Sequence, residues 1–187
     1  MALLAAGVLV FTLVHLYPAL FAASRDGLVA RLGRNAYRGL FSLAILAGIV
    51  MMIAGWRSAT PEPVYTPAVS GGIVPAVLVF LAFVLLVAAQ SNTNIKRYVR
   101  HPQMTGVLLW SVAHLLANGD SRSVLLFGGL GAWSIAEVFF CNRRDGAWQR
   151  PGPYPVLSDI LTVLIGAIGF VLVWRFHGTI SGVPLAL

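Results

Sequence analysis

The sequence predicts an all-α integral membrane bundle of about six transmembrane helices, forming a single domain over residues 1–187. Three observations lead there. Hydrophobic residues make up 58% of the chain and charged residues only 10%, against roughly a quarter charged in soluble domains. So few charges cannot cover so much apolar surface in water, whereas lipid removes that requirement. The apolar residues fall into runs close to the ~20 residues that cross a bilayer as a helix. The basic residues collect in alternate connections between those runs.

The runs are 2–23, 37–56, 72–90, 103–117, 124–140 and 156–176. The fourth is the shortest and ends in the turn signal Asn118-Gly119-Asp120. Ten of the thirteen basic residues lie in three alternate loops: Arg25, Arg31, Arg34 and Arg38; Lys96, Arg97 and Arg100; and Arg143, Arg144 and Arg150. By the positive-inside rule these loops are cytoplasmic and both termini lie outside. The first run carries its arginines after it, the reverse of a cleavable signal peptide, so it reads as a retained first helix. The expected setting is a bacterial inner membrane.

Residues 24–36 suit a short amphipathic helix lying in the interface, with Leu28, Val29 and Leu32 on its apolar face. Pro61, Pro63 and Pro67 make loop 57–71 extended. The net charge of +7 belongs to this topology and not to a phosphate-binding surface, so nucleic acid is excluded as a partner. With Cys141 as the sole cysteine there is no intrachain disulfide.

Ionisable groups inside a membrane are costly and mark functional candidates. His15 lies mid-helix in the first run and His114 well inside the fourth. At ~1.5 Å per residue they sit roughly 12 and 16 Å from the cytoplasmic face. His101 lies near that face and His177 near the opposite one, so depth pairs His15 with His114. Two imidazoles converging from facing helices suggest the axial ligands of an iron porphyrin. The competing reading is that each histidine simply hydrogen-bonds across helices. Around His114, the stripe Gln103, Val107, Trp110, Ser111, His114 and Asn118 is polar enough to face the interior, and Thr12 lies on the His15 face. These neighbours are candidates to orient the rings or line the cofactor. A second cluster, Arg100, His101, Glu137 and Asp159, is expected at the cytoplasmic face. It reads as an ion-pair girdle or a propionate-binding site, with Ser158-Asp159 also able to cap the last helix. No phosphate loop, catalytic triad, zinc motif or c-type haem attachment motif is present.

Two stretches resemble a known family. One is His15-Leu16-Tyr17-Pro18 with Gly33 and Tyr37-Arg38-Gly39-Leu40-Phe41-Ser42-Leu43. The other is Arg100-His101-Pro102-Gln103-Met104, Gly106, Leu109-Trp110 and Ala113-His114-Leu115-Leu116-Ala117-Asn118-Gly119-Asp120. Both resemble the NnrU family of bacterial membrane proteins, which is associated with denitrification and is similar to the 15-cis-zeta-carotene isomerases. The resemblance implies a noncovalent haem b on His15 and His114. It also implies redox chemistry or isomerisation of a small hydrophobic substrate or a nitrogen oxide, with a redox partner unspecified. The isomerases carry a cysteine where this chain has Ser111, so a switch of ligand to sulfur is not implied here. Two alternatives are an S-adenosylmethionine-dependent membrane methyltransferase and a non-catalytic assembly factor. The first rests on Arg100-His101-Pro102-Gln103-Met104-Thr105-Gly106, but the paired glutamates of that class are missing.

The charge pattern makes a topological prediction. In a Cys141→Ser background, single cysteines placed in loop 57–71 and loop 141–155 should react with an impermeant maleimide from opposite sides of the membrane. Reaction from one side alone would remove the six-span topology.

Overall fold

In a computed structural model, which describes residues 1–69, 72–183 and 185, the chain is α-helical throughout, with no named strand among the described residues. Seven helices follow one another: α1 (Ala2–Leu20), α2 (Ala22–Leu32), α3 (Arg34–Ser58), α4 (Ile73–Gln90), α5 (Pro102–Ala117), α6 (Ser121–Asp145) and α7 (Val156–Ser181). A short 3₁₀ turn, Asn94–Arg97, precedes α5. Five helices, α1, α3, α4, α6 and α7, are long and apolar enough to cross a membrane. The short run 103–117 becomes α5, whose 16 residues reach about 24 Å, less than the ~30 Å hydrocarbon core. It is sandwiched between α4 and α6.

Local sequence explains the breaks. Pro18 lies in the last turn of α1 and the helix ends two residues later. Gly33, at φ +82°, lets the chain turn from α2 into α3. The amphipathic segment expected over 24–36 is α2, none of whose residues is buried. Pro102 opens α5 at a position whose amide has no helical partner in any case.

The helices pack as a series, α3 on α1, α1 on α6, α6 on α5, α5 on α4 and α4 on α7. The ends of the series are tied together by the Trp56 indole, which donates to the Ser181 carbonyl at 3.0 Å. The core is small: Leu4, Val8, Met52, Leu130 and Trp133, flanked by Phe11, Met104, Val107 and Trp110. Glycine faces bring the backbones together. A Cβ on Gly7 would lie 2.6 Å from the Met52 amide nitrogen, and one on Gly166 would lie 2.8 Å from Val84 Cα. Such close approach is how helices associate in lipid, where apolar burial supplies no drive. The outward faces are apolar, as Ile160, Leu164, Ile168 and Val171 of α7 show.

Polar contacts lock the two ends of the bundle. Asp159 accepts from the Thr93 hydroxyl at 2.5 Å, from the Asn94 amide at 2.8 Å and from the Asn94 side chain at 2.7 Å. Asn94 also exchanges hydrogen bonds with the Tyr154 backbone. At the other end, loop residues 62–65 dock on the α5–α6 turn: the Val64 amide donates to the Gly119 carbonyl and the Ser121 amide to the Glu62 carbonyl, both at 2.8 Å. Asp120 caps α6 by accepting from the Arg122 and Ser123 amides at 3.0 and 3.2 Å and from the Ser123 hydroxyl at 2.6 Å.

Two predictions follow from this packing. Gly7→Leu forces α1 off α3 and should lower stability in detergent by about 1–3 kcal/mol. Gly39→Leu, at a position with open space around it, should leave the thermal unfolding midpoint unchanged. The second concerns Asp120. Its partial burial alone would raise the carboxyl, but the Ser123 hydroxyl and amide and the Arg122 charge outweigh it and hold the group below the usual aspartate range. A depressed carboxyl stabilises the fold above its unfolded value of about 3.9 and loses that stabilisation as pH falls through the folded value. Asp120→Ala should cost about 0.5–2 kcal/mol at neutral pH. It should also flatten the acid limb of a stability–pH curve measured by circular dichroism.

Candidate functional site

His15 lies four residues after Phe11 on α1, and its Nδ1 meets the Phe11 carbonyl oxygen at 2.9 Å. His114 repeats the arrangement on α5, with Nδ1 2.8 Å from the Trp110 carbonyl oxygen. A carbonyl only accepts, so Nδ1 carries the proton in both rings. The neutral imidazole then presents an Nε2 lone pair, the state that ligates a metal.

Both rings pack against aromatics. His15 lies 4.2 Å from the Phe11 ring, 5.0 Å from Trp133 and 5.7 Å from Phe41, between ring centroids. His114 stacks on Phe127 at 4.2 Å and lies 4.9 Å from Trp110. Phe11 meets Trp133 edge-on at 5.0 Å, and Trp110 meets Phe127 at 4.7 Å. Two aromatic groups therefore lie along α6, one holding His15 with Phe11 and Trp133 and the other His114 with Trp110 and Phe127.

The register along α6 fixes the relation of the two histidines. Val8 and Phe11 of α1 lie beside Gly129 and Trp133, so α1 runs parallel to α6. Ser111 and His114 of α5 lie beside Gly131 and Phe127, so α5 runs antiparallel to it. Trp133 and Phe127 are six residues apart, about 9 Å along the axis. Side chains lean toward the N-terminus of their own helix, so the two imidazoles lean toward each other and narrow that offset. Trp133, 4% exposed, lies beside His15.

The other expected residues sort as follows. Ser111 is 1% exposed and packs on Gly131 of α6. Its hydroxyl, the Thr12 hydroxyl and the Trp133 indole N–H are buried with no hydrogen-bond partner. Asn118 donates to the His114 carbonyl at 2.9 Å and so secures the last turn of α5. Arg100 and His101 lie at the opposite end of α5. His101 is thirteen residues from His114, about 20 Å of helix. Asp159, expected beside Arg100 and His101, is taken instead by Thr93 and Asn94. The short reach from the 3₁₀ turn to the start of α7 decides this.

Arg100 and His101 instead line a cavity of about 650 Å³ with Lys96, Gln103, Glu137 and Trp148. Arg100 Nη2 donates to the Gly146 carbonyl at 2.7 Å and His101 Nε2 to Asn142 Oδ1 at 2.8 Å. The Cys141 thiol donates to Glu137 Oε1 at 3.6 Å.

Sequence reasoning missed His177. Its ring lies 6.4 Å from that of His114, and its Nδ1 donates to the Val183 carbonyl at 2.8 Å. The outer end of α7 reaches back toward Trp56 of α3, and nothing local in the sequence signals that crossing. Among the described residues no three His, Cys, Asp or Glu side chains converge on a single metal position.

Fold and interior together define a multi-pass α-helical membrane protein with two histidines packed among aromatic side chains. The chain belongs to the NnrU family: the family model described as NnrU protein matches residues 3–185, nearly the whole chain. Neither the curated proteins nor the solved structures yield a match.

Proposed function

We propose that this NnrU protein is a haem b-binding membrane protein with His15 and His114 as axial ligands, serving a redox role in a bacterial inner membrane. The observation that carries the reading is the shared state of the two imidazoles. Each has Nδ1 tied to a backbone carbonyl, Nε2 free, and aromatic rings in place of water.

The donor set suits iron porphyrin better than a bare ion. A free transition metal takes three or four protein donors, and no such group occurs among the described residues. A porphyrin brings four nitrogens of its own and asks the protein only for axial ligands. The unpartnered Thr12, Ser111 and Trp133 donors are further polar groups on the same helix faces.

When bound, haem would supply one-electron chemistry, with His15 and His114 as the residues that would hold its iron. The chain's own residues do the rest. The Phe11 and Trp110 carbonyls fix the tautomer and aim the ligand nitrogen. The Asn118 side chain holds the His114 turn. Phe11, Phe127, Trp110 and Phe41 exclude water, which lets a neutral imidazole stay neutral. A nitrogen oxide or a polyene as substrate is carried over from the family resemblance.

The reading is tested by absorption and electron paramagnetic resonance spectra of purified variants. His15→Ala and His114→Ala should each abolish the low-spin signal and reduce haem retention about tenfold or more. His177→Ala should leave the signal intact. Wild-type haem content and spectra in both His15→Ala and His114→Ala would sink the assignment, as would a wild-type protein with no Soret band after haem supplementation.

A further inference from the structure

A second cavity lies at the corner where α1, α2 and α3 meet. Leu13 and Tyr17 of α1, Leu28 and Leu32 of α2, and Tyr37 and Phe41 of α3 line a cleft of about 450 Å³ that no charged side chain enters. Its α2 wall is thin. No residue of that helix is buried, and Leu28 and Leu32 stay 37% and 47% exposed. One hydrogen bond, between Tyr17 Oη and Ser24 Oγ at 2.8 Å, pins the corner. The apolar face of a helix lying in a membrane interface is covered by acyl chains. Charge gathers at the rim. Residues 24–38 carry Arg25, Arg31, Arg34 and Arg38 against a single carboxylate, Asp26. Arg25 takes that carboxylate at 2.8 Å. The other three arginines meet no carboxylate among the described residues. Arg34 stands three residues before Tyr37 and seven before Phe41, so the three share one face of α3. Side chains lean toward the N-terminus of their own helix, which carries the Arg34 guanidinium off the end of the cleft toward the interface. Arg38 lies one turn further along.

We propose that this cleft seats one acyl chain of an anionic diacyl phospholipid of the phosphatidylglycerol class, with the phosphate against Arg34 and Arg38. The lining selects hydrocarbon, because it offers a polar group almost nothing to bond. A peptide segment would bring unsatisfied backbone amides and carbonyls into the same apolar space. The rim selects charge. Three arginines without a carboxylate of their own attract an anion, and each basic residue near the surface adds to that attraction. A guanidinium also meets phosphate through a fork of N–H donors. A zwitterionic lipid gains less, because the only acid in this segment, Asp26, is already held by Arg25. The seated chain fills the space between α2 and the two spanning helices, and so holds the thin wall in place. No haem is required, so this proposal stands or falls separately from the iron site.

The test is native mass spectrometry of the full-length protein in detergent, with phosphatidylglycerol, phosphatidylethanolamine or oleate added. The expected result is a preference of about tenfold or more for phosphatidylglycerol over phosphatidylethanolamine. Arg34→Gln combined with Arg38→Gln should remove that preference. Arg34→Lys combined with Arg38→Lys should keep most of it, which separates loss of charge from misfolding. Leu28→Trp and Leu13→Trp, each filling the cleft from an exposed position, should lower phosphatidylglycerol binding severalfold. Both should keep the wild-type unfolding midpoint in lipid-free detergent. Equal binding of the two lipids overturns the proposal. So does a preference that survives the paired Gln substitutions, or full phosphatidylglycerol binding in both Trp variants. Oleate that displaces phosphatidylglycerol at equal concentration also overturns it, and assigns the cleft to a free fatty acid.

Discussion

The contact between α1 and the two helices beside it sets the geometry on which the rest depends. Gly7 and Gly48 let α1 and α3 approach until backbone meets backbone, and Gly129 lets Val8 of α1 seat on α6. In lipid there is no gain from hiding apolar surface that lipid already covers. Association therefore rests on close packing, and a single methyl group at these positions would interrupt it. This seating sets His15 at the level of Trp133. The same device recurs where Gly131 receives Ser111 of α5, and this second contact sets the level of His114.

From these two registers comes an interior that is unusual for what it omits. The histidines, the indoles and the phenylalanines along α6 hold no paired charge. The hydrogen bonds of His15 and His114 close within their own helices, on the carbonyls of Phe11 and Trp110. Those bonds satisfy one nitrogen of each ring and leave the other for an external partner.

The two ends of the bundle solve a different problem. At one end, loop 62–65 and Asp120 close the α5–α6 turn through backbone bonds and a helix cap. At the other, the Thr93, Asn94 and Asp159 knot pins the 3₁₀ turn to α7. The knot consumes Asp159 locally. Glu137 and Asp145 are then the acidic side chains that line the cavity with Lys96 and Arg100.

Much was legible in the sequence because membrane helices are declared by local composition. Apolar run length, the proline and glycine breaks and the alternation of basic loops placed all seven helices to within a few residues. They also marked α5 as the short one. The same local logic singled out His15 and His114, since an ionisable residue within an apolar run is visible without knowing its neighbours. Which residues meet across helices is not a local property. The placement of Trp133 beside His15 depends on the register of α1 against α6, and glycine contacts set that register. His177 approaches His114 only because the end of α7 leans toward α3. Asp159 leaves the Arg100 cluster because Asn94 reaches it first. The sequence by itself determined a helical membrane bundle of the NnrU kind and its candidate polar residues. The tertiary structure alone decided that those residues form two separate places, because inter-helix packing joins residues that the chain holds far apart.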